Sequence, residues 1–389
     1  MLSFSATATG GGAGSFLERH WQKRPLWIPG GVDVSRLPSI EPDEVAWLAT
    51  LEDVESRLVF TERRGGKTTY RMDTGPFSSE RLESLPPADW TLLVQDAEKH
   101  LPELRAYLDL VPFVPDWRID DLMISVAAPG GSVGPHRDNY DVFLVQASGR
   151  RRWHWTTAPV ADDPSASRQL SLLQRFDPED THSAAPGDVL YLNPGVAHHG
   201  VAETLCVTCS VGMRAPRLSE LSGRAVDHDV FYSDPDLGTE EMRPGHLSTA
   251  AVRRAAALLE QHGYGDVDAA VALGRFATLT KDWLQPDRPE QDEPPEEPLD
   301  VHGMARIAWT DTTVFANGRS SALPPGSAAL VEALCASRHL GEAEQAPWRE
   351  HEAIKVLLSW LWRTGIFNEP DDAADAAAHL TISGPDEAP

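Results

Sequence analysis

The apolar and polar positions change period several times along the chain. Residues 15–31, "SFLERHWQKRPLWIPGG", space their apolar side chains for a short amphipathic helix as far as Arg24-Pro25. The proline then forces the residue before it out of helical backbone, which predicts an extended segment. Residues 41–60, "EPDEVAWLATLEDVESRLVF", carry a proline near the start, acids in the first turn and apolar residues at helical spacing, which predicts a second helix. From about 68 to 215 the runs become short and alternating, cut by turn residues: "WTLLVQ", "DLMISVAAPGG", "DVFLVQASG", "RRRWHWTTA", "GDVLYLNPG" and "TLCVTCSVG". Many short strands at this spacing predict a sandwich or barrel.

After Pro216 the helical period returns in "RLSELSGRAVDHDVF", "STAAVRRAAALLEQHG" and "VDAAVALGRFATLTKDWLQ". "PDRPEQDEPPEEPLD" (286–300) reads as a Pro-rich acidic linker. "RIAWTDTTVFANGRSSAL" then predicts a hairpin turning at Asn317-Gly318, followed by helices in "GSAALVEALCAS" and "EHEAIKVLLSWLWRTG". Strands plus two helices over about 80 residues suit a small winged-helix-like domain. The organisation predicted is α+β: a β-rich domain over 1–215, a helical region over 216–285, the linker over 286–300 and a C-terminal domain over 301–389. The Gly-rich start and the tail "ISGPDEAP" read as disordered.

Composition narrows the function classes. The 389 residues are 41% hydrophobic and 24% charged, ordinary for a globular protein of two or three domains. The net charge of −25 argues against general affinity for nucleic acid or anionic membrane, since binding phosphate needs a basic face. No basic recognition helix stands out in 301–389, so a structural or protein-docking role is expected there. Three cysteines make no disulfide framework and suit a reducing cytosol. Cys206 and Cys209 are formally C-x-x-C, but three apart on a strand they face opposite ways and read as packing. The N-terminus has no basic region with a sustained apolar core, as an export signal would, and no apolar run is long enough to span a membrane.

The chemistry begins at "GPHRDNYDVF" (134–143), where His136 and Asp138 leave one face of a strand. Alone, H-x-D is weak. "PGDVLYLNPGVAHHG" (186–200) supplies the missing part: a strand, a tight turn at Asn193-Pro194-Gly195, and His198 opening the next strand. In a jelly roll that hairpin returns the histidine to the same mouth. His136, Asp138 and His198 then form a facial triad of metal ligands that leaves three positions open on a non-haem iron(II). Adjacent strand residues face opposite ways, so His199 is expected beside the site, at its mouth or in solvent.

The open positions suit 2-oxoglutarate and O2, and the far carboxylate of 2-oxoglutarate needs a buried cation. In "SGRRRWHW", alternation puts Arg151, Trp153 and Trp155 on one face and Arg150, Arg152 and His154 on the other. Two tryptophans favour the Arg151 face as interior, although spacing alone equally allows a solvated basic edge. In "DWRIDDLMISV", Leu122, Ile124 and Val126 share a core face, while Asp121, Met123 and Ser125 share the other. A guanidinium substrate wants carboxylates and an aromatic or apolar wall, which makes Asp121, Met123 and Tyr140 substrate candidates. Asn139, Asp141 and Ser210 are fainter ones, with Ser210 set beside the co-substrate. The bland alternatives are that Asp121 caps a strand end, Tyr140 packs under its loop and Met123 fills core.

Over most of its length the chain resembles the JmjC-type ribosomal oxygenases, and most closely their bacterial members that hydroxylate an arginine of the sixteenth large-subunit ribosomal protein. The resemblance lies in "FLERHWQKRP", "SRLV", "DWRIDDLMIS", "GPHRDNYDVF", "GRRRW", "PGDVLYLNPG", "SVGMRAP", "YSDPDL" and "VFANG". It implies iron ligands at His136, Asp138 and His198, and carboxylate binding at Arg151, fifteen positions after the first iron histidine. It also implies a double-stranded β-helix of the cupin/JmjC type, a helical region that makes a homodimer, a C-terminal winged helix and a cytoplasmic enzyme. Related eukaryotic members hydroxylate histidine, so the same iron site would also serve histidine hydroxylation or demethylation. A scaffold module holding only a structural metal is the non-enzymatic alternative, but such a site is normally closed by a fourth protein ligand.

Overall fold

A computed structural model of the chain describes residues 1–3, 12–162, 172–174, 176–239 and 242–368. The C-terminal tail and most of the Gly-rich start lie outside them. Leu2, within the described start, is buried and its amide donates to Leu110 O at 2.8 Å. The described residues contain no helix long and apolar enough to cross a membrane. Two compact units are formed: one by 1–215 with 233–242, the other by 216–232 with the chain from 243 onward.

The first unit opens with helix α1 (Ala13–Arg19) and the extended strand β1 (Leu26–Ile28) beyond Pro25. Helix α2 (Pro42–Leu48) has proline in its first turn and a capping box between Glu41 and Glu44. The helix expected over 41–60 is therefore shorter than its apolar spacing suggested. From Ser56 the chain is strand β2 (Ser56–Arg64), hydrogen-bonded on both sides by β3 (Lys67–Thr74) and β4 (Trp90–Val94). Pairing on both edges over Arg57–Phe60 outweighs a local helical pattern. Short helices α3 (Ser79–Glu83) and α4 (Ala97–His100) connect onward.

The remaining strands are β5 (Ile119–Ala127), β6 (His136–Arg137), β7 (Val142–Ser148), β8 (Arg151–Thr156), β9 (Asp180–Ala184), β10 (Val189–Leu192), β11 (Ala197–Ala202) and β12 (Cys206–Met213). They form two antiparallel sheets, one ordered β1-β10-β7-β12-β5-β4-β2-β3 and the other β6-β11-β8-β9. The strand spacing predicts a sandwich or barrel, and the two sheets give it the jelly-roll form that the family resemblance implies. Leu122, Ile124 and Val126 of β5 are buried in the main core with Phe16, Phe113, Phe143 and Tyr191. Phe16 meets Tyr191 edge-on with ring centroids 4.8 Å apart, which ties α1 to the sheet. Cys206 and Cys209 fall in different apolar clusters on opposite faces of β12, as packing residues. Burial pushes the Cys209 thiol up to about 12.

In the second unit, the helix expected over 217–231 is only α5 (Leu218–Ser222). Gly223, at φ 65°, ends it in the left-handed region, and Phe231 instead bridges to Arg217. Helices α6 (Thr249–Gln261) and α7 (Ala269–Thr278) follow. Beyond β13 (Leu299–Asp300), strands β14 (Ile307–Trp309), β15 (Thr313–Ala316) and β16 (Arg319–Ala322) make a three-stranded sheet. β15 and β16 turn at Asn317 and Gly318, both at positive φ, as a two-residue hairpin requires. Helices α8 (Ala328–Ser337), α9 (Glu342–Glu350) and α10 (Glu352–Arg363), with β17 (His339–Leu340) between α8 and α9, complete the unit. Within 286–300, the carbonyls of Gln291, Pro295 and Glu297 accept from Trp362, Arg349 and Gln345.

Candidate metal centre

His136 stands on β6 and His198 directly opposite on β11. Asp138 lies two residues along from His136, so its side chain returns to the same face. The His136 Nε2 is 4.0 Å from Asp138 Oδ1, and the His198 Nε2 is 3.6 Å from Asp138 Oδ2. The donor atoms of all three lie within 4.8 Å of one another. Each imidazole is oriented from behind. His136 Nδ1 donates to Gly134 O at 2.9 Å, and His198 Nδ1 donates to Val196 O at 3.0 Å. Because a carbonyl only accepts, the proton sits on Nδ1 and the Nε2 lone pair faces Asp138, the tautomer a metal ligand needs. Burial first, and the neighbouring His136 second, hold the His198 imidazole down to about 4, so it stays neutral at physiological pH. Among the described residues no fourth histidine, cysteine or carboxylate joins the group.

The triad opens into a cavity of about 270 Å³ between the two sheets. Arg151 lines it from β8 and is 6% exposed. Its Nη1 donates to Ser125 Oγ at 3.2 Å, while its Nε and Nη2 are buried with no partner. A buried guanidinium with two unused donors is costly unless an anion completes it. A carboxylate in the cavity would do so, and the same cavity holds an open three-ligand site. The residues present therefore fit both an iron(II) ion and the far carboxylate of 2-oxoglutarate. Trp153 and Trp155 share the buried face of β8; Arg150 and Arg152 are outside, paired with Glu203.

Asp121, Met123, Tyr140 and Ser210 also line the cavity. Asp121 is buried and its Oδ2 accepts from Asp96 N at 3.2 Å. Met123 Sδ lies 4.0 Å from Arg57 Nη2. Tyr140 keeps 41% of its surface open while its hydroxyl end is enclosed. That burial, then the carboxylates of Asp138 and Asp121, pushes its hydroxyl well above the usual tyrosine range. His199 points away from the cavity, where its Nε2 is 3.4 Å from the Tyr70 hydroxyl, and burial followed by His154 holds it down to about 4. Asp141 does not reach the cavity; it is buried beside Tyr191 and Arg118.

Sequence reasoning missed the wall made by β2, β4 and the residue after β4: Arg57, Val59, Thr91, Leu93 and Gln95. Arg57 Nη2 donates to Gln95 Oε1 at 2.8 Å across these strands. The available signal was the alternation in "SRLVFTE" itself, which the helical reading of 41–60 overrode.

A family model described as "JmjC domain" matches residues 108–221. The X-ray structure of E. coli YcfD aligns with a TM-score of 0.71 and 30% identity over 91% of this chain and 96% of that one. The chain belongs to the JmjC-type ribosomal oxygenases. The same E. coli protein has been solved with cobalt and 2-oxoglutarate, at a TM-score of 0.67 with 30% identity over 91% of this chain and 96% of that one. Among curated proteins of the family, the ribosomal protein uL16 3-hydroxylase of Escherichia coli is 42% identical over 231 residues, 57% of this chain and 60% of that protein. A probable ribosomal oxygenase of Haemophilus influenzae is 39% identical over 234 residues, 58% of this chain and 55% of that protein. The chain thus spans 55 to 60% of the length of these two curated relatives.

Proposed function

We propose that this ribosomal oxygenase is an iron(II)- and 2-oxoglutarate-dependent dioxygenase that hydroxylates an arginine side chain of the large-subunit ribosomal protein uL16. The observation that carries the reading is a single cavity holding an open His136–Asp138–His198 triad and a buried Arg151 with two unused donors. Iron(II) bound there supplies the activation of O2 that C–H hydroxylation needs.

The chain's own residues provide ligation, orientation and exclusion of water. Gly134 O and Val196 O hold the two imidazoles with their lone pairs inward. Arg151 and Ser125 hold the far carboxylate of the co-substrate, and Ser210 lies beside it in the lining. Asp121 offers a carboxylate and Met123 and Tyr140 an apolar and aromatic wall for the substrate. A guanidinium is recognised by such a wall, since it pairs with a carboxylate and stacks on an aromatic ring, which suits a cation better than a neutral imidazole. This favours arginine over histidine as target. The remaining parts of the reading are a boundary near 215, a helical region over 216–285 that dimerises, a winged helix within 301–389 joined through 286–300, and a cytoplasmic location. They rest on family resemblance and the order of elements.

The test is mass spectrometry of a uL16 peptide incubated with the protein, iron(II), 2-oxoglutarate and ascorbate, beside a His136→Ala variant. A gain of one oxygen on arginine, absent with the variant, is expected. Consumption of 2-oxoglutarate without that gain would keep the oxygenase and reject the substrate. Neither would return the chain to a binding module.

A further inference from the structure

The first unit buries a second polar cluster that the proposed reaction does not use. Arg118 is fully buried between two carboxylates. Its Nε is 3.1 Å from Asp234 Oδ2 and its Nη2 is 3.5 Å from Asp141 Oδ2, while Nη1 donates to Arg214 O. Trp21 Nε1 donates to Asp234 Oδ1 at 3.1 Å. Gln22 Nε2 donates to Asp141 Oδ2 at 2.8 Å, and the Tyr191 hydroxyl donates to Asp141 Oδ1. Trp21 and Gln22 belong to "FLERHWQKRP", Arg118 to "DWRIDDLMIS", Arg214 to "SVGMRAP" and Asp234 to "YSDPDL". Motifs scattered over more than 200 residues therefore meet at one point, outside the cavity.

Two arms run from this point to the metal centre. Asp141 stands three residues after Asp138 on the segment entering β7. Tyr191 stands on β10, which leads through the Asn193–Gly195 turn to His198. The arms touch again nearer the ligands, where Gly195 N donates to Asp138 O at 2.7 Å. The Asp141 carboxylate, by holding the Tyr191 hydroxyl, cross-links the arm that carries Asp138 to the arm that carries His198. A buried ion pair contributes little net stability over apolar packing of equal volume, so its best-attested use is to select one geometry.

We propose that Asp141 is a positioning residue for the metal centre: its bonds to Tyr191 and Arg118 brace the end of the β7–β10 ladder from which the two ligand-bearing arms leave. The proposal rests on the reading of His136, Asp138 and His198 as a metal site. Asp141→Asn leaves one acceptor where the carboxylate has two, so either Gln22 and Arg118 or the Tyr191 hydroxyl faces an amide donor; the cross-link is disturbed without emptying the space.

The experiment is titration of the full chain with Co(II), followed by its visible absorption, with folding checked by circular dichroism. Asp141→Asn should bind Co(II) about tenfold more weakly and with an altered spectrum, in line with losses at groups behind metal ligands. Tyr191→Phe removes a single hydroxyl, should move both readouts the same way by less, and decides the matter if Asp141→Asn does not fold. Asp234→Asn disturbs the same arginine but neither arm; it should lower Tm and leave affinity and spectrum unchanged. Wild-type affinity and spectrum in both arm variants would overturn the proposal. An equal change in all three would overturn it too, since general loosening would then explain the effect. Absence of Co(II) binding to the unaltered chain would instead sink the metal reading, and the proposal with it.

Discussion

Arg151 is the residue whose surroundings are most demanding, because its Nε and Nη2 are buried without a partner. Charge-assisted hydrogen bonds contribute about 1.5–3 kcal/mol each, so loss of the guanidinium should raise KM for 2-oxoglutarate by roughly ten- to a hundredfold. Arg151→Met should show this in initial rates at varied 2-oxoglutarate, with a smaller change in kcat. Arg151→Lys should recover only part, since an ammonium cannot make a planar two-point contact. A KM unmoved in Arg151→Met would remove Arg151 from the co-substrate site.

The histidines give a pH prediction of defined sign. His198 and His199 are each held down to about 4 in the fold, against an ordinary value of 6.5. Between about 6.5 and 4 the unfolded chain therefore binds more protons at these positions, and metal-free protein should lose stability as pH falls through that window. Asp141, pushed up to about 6 chiefly by burial, works in the opposite sense between its ordinary 3.8 and about 6. Burial raises Glu98 as well, but His20, His100, His154 and His246 are lowered like His198 and His199, which leaves the histidine sense dominant. Tm of chelator-treated protein should fall from pH 6.5 to 4, and His199→Gln should flatten the slope. An unchanged slope in that variant would show that His199 is not buried neutral.

At the scale of elements, the turn before β6 controls the first ligand. Gly134 sits at φ 88°, and its carbonyl receives the His136 Nδ1 proton. A Cβ there would lie 2.6 Å from Leu172 Cδ2 and 2.8 Å from Tyr70 Cε2. Gly134→Ala should cost about 1–3 kcal/mol from the backbone conformation alone. It should also weaken metal binding, because relieving the clash turns the carbonyl that orients His136. Denaturant unfolding and Co(II) titration of the same variant would show both losses; an unperturbed Co(II) affinity would separate the turn from the ligand. Gly200, on β11, keeps the opposite side close-packed, since a Cβ there would lie 2.5 Å from the Trp153 ring.

For the whole molecule, the net charge of −25 is the dominant long-range property. It should speed and strengthen encounter with a cationic ribosomal protein and be screened by salt, whose Debye length is about 10 Å at 0.1 M. KM for intact uL16 should rise severalfold as salt goes from about 0.05 to about 0.5 M, while KM for 2-oxoglutarate changes little. Equal salt dependence for both would assign the effect to general inhibition by ions. On the proposed reading, the acidic balance bears on the rate of capture and the cavity on which side chain is oxidised.

Half of the triad was legible in the sequence because a strand has period two, so His136 and Asp138 must share a face; His198 joins them because the Asn193–Gly195 turn carries the chain from β10 in one sheet to β11 in the other, where β11 pairs with β6. The same alternation separated Arg151 from Arg150 and Arg152, and Leu122 from Asp121 and Met123. Which residues share a face needed only local geometry; that the Arg151 face is the interior one was left open by spacing and decided by its burial. Tertiary structure decided the rest. It ended the second helix at Leu48 because β3 and β4 pair with both edges of β2, and so brought Arg57 and Gln95 into the cavity wall. It left two donors of Arg151 without partners, a property of what surrounds the guanidinium rather than of its position in the chain. It also joined Gln22, Arg118, Asp141, Tyr191 and Asp234 around one buried charge. No spacing rule links those residues, since which distant segments meet is set by how the whole chain packs and not by local periodicity.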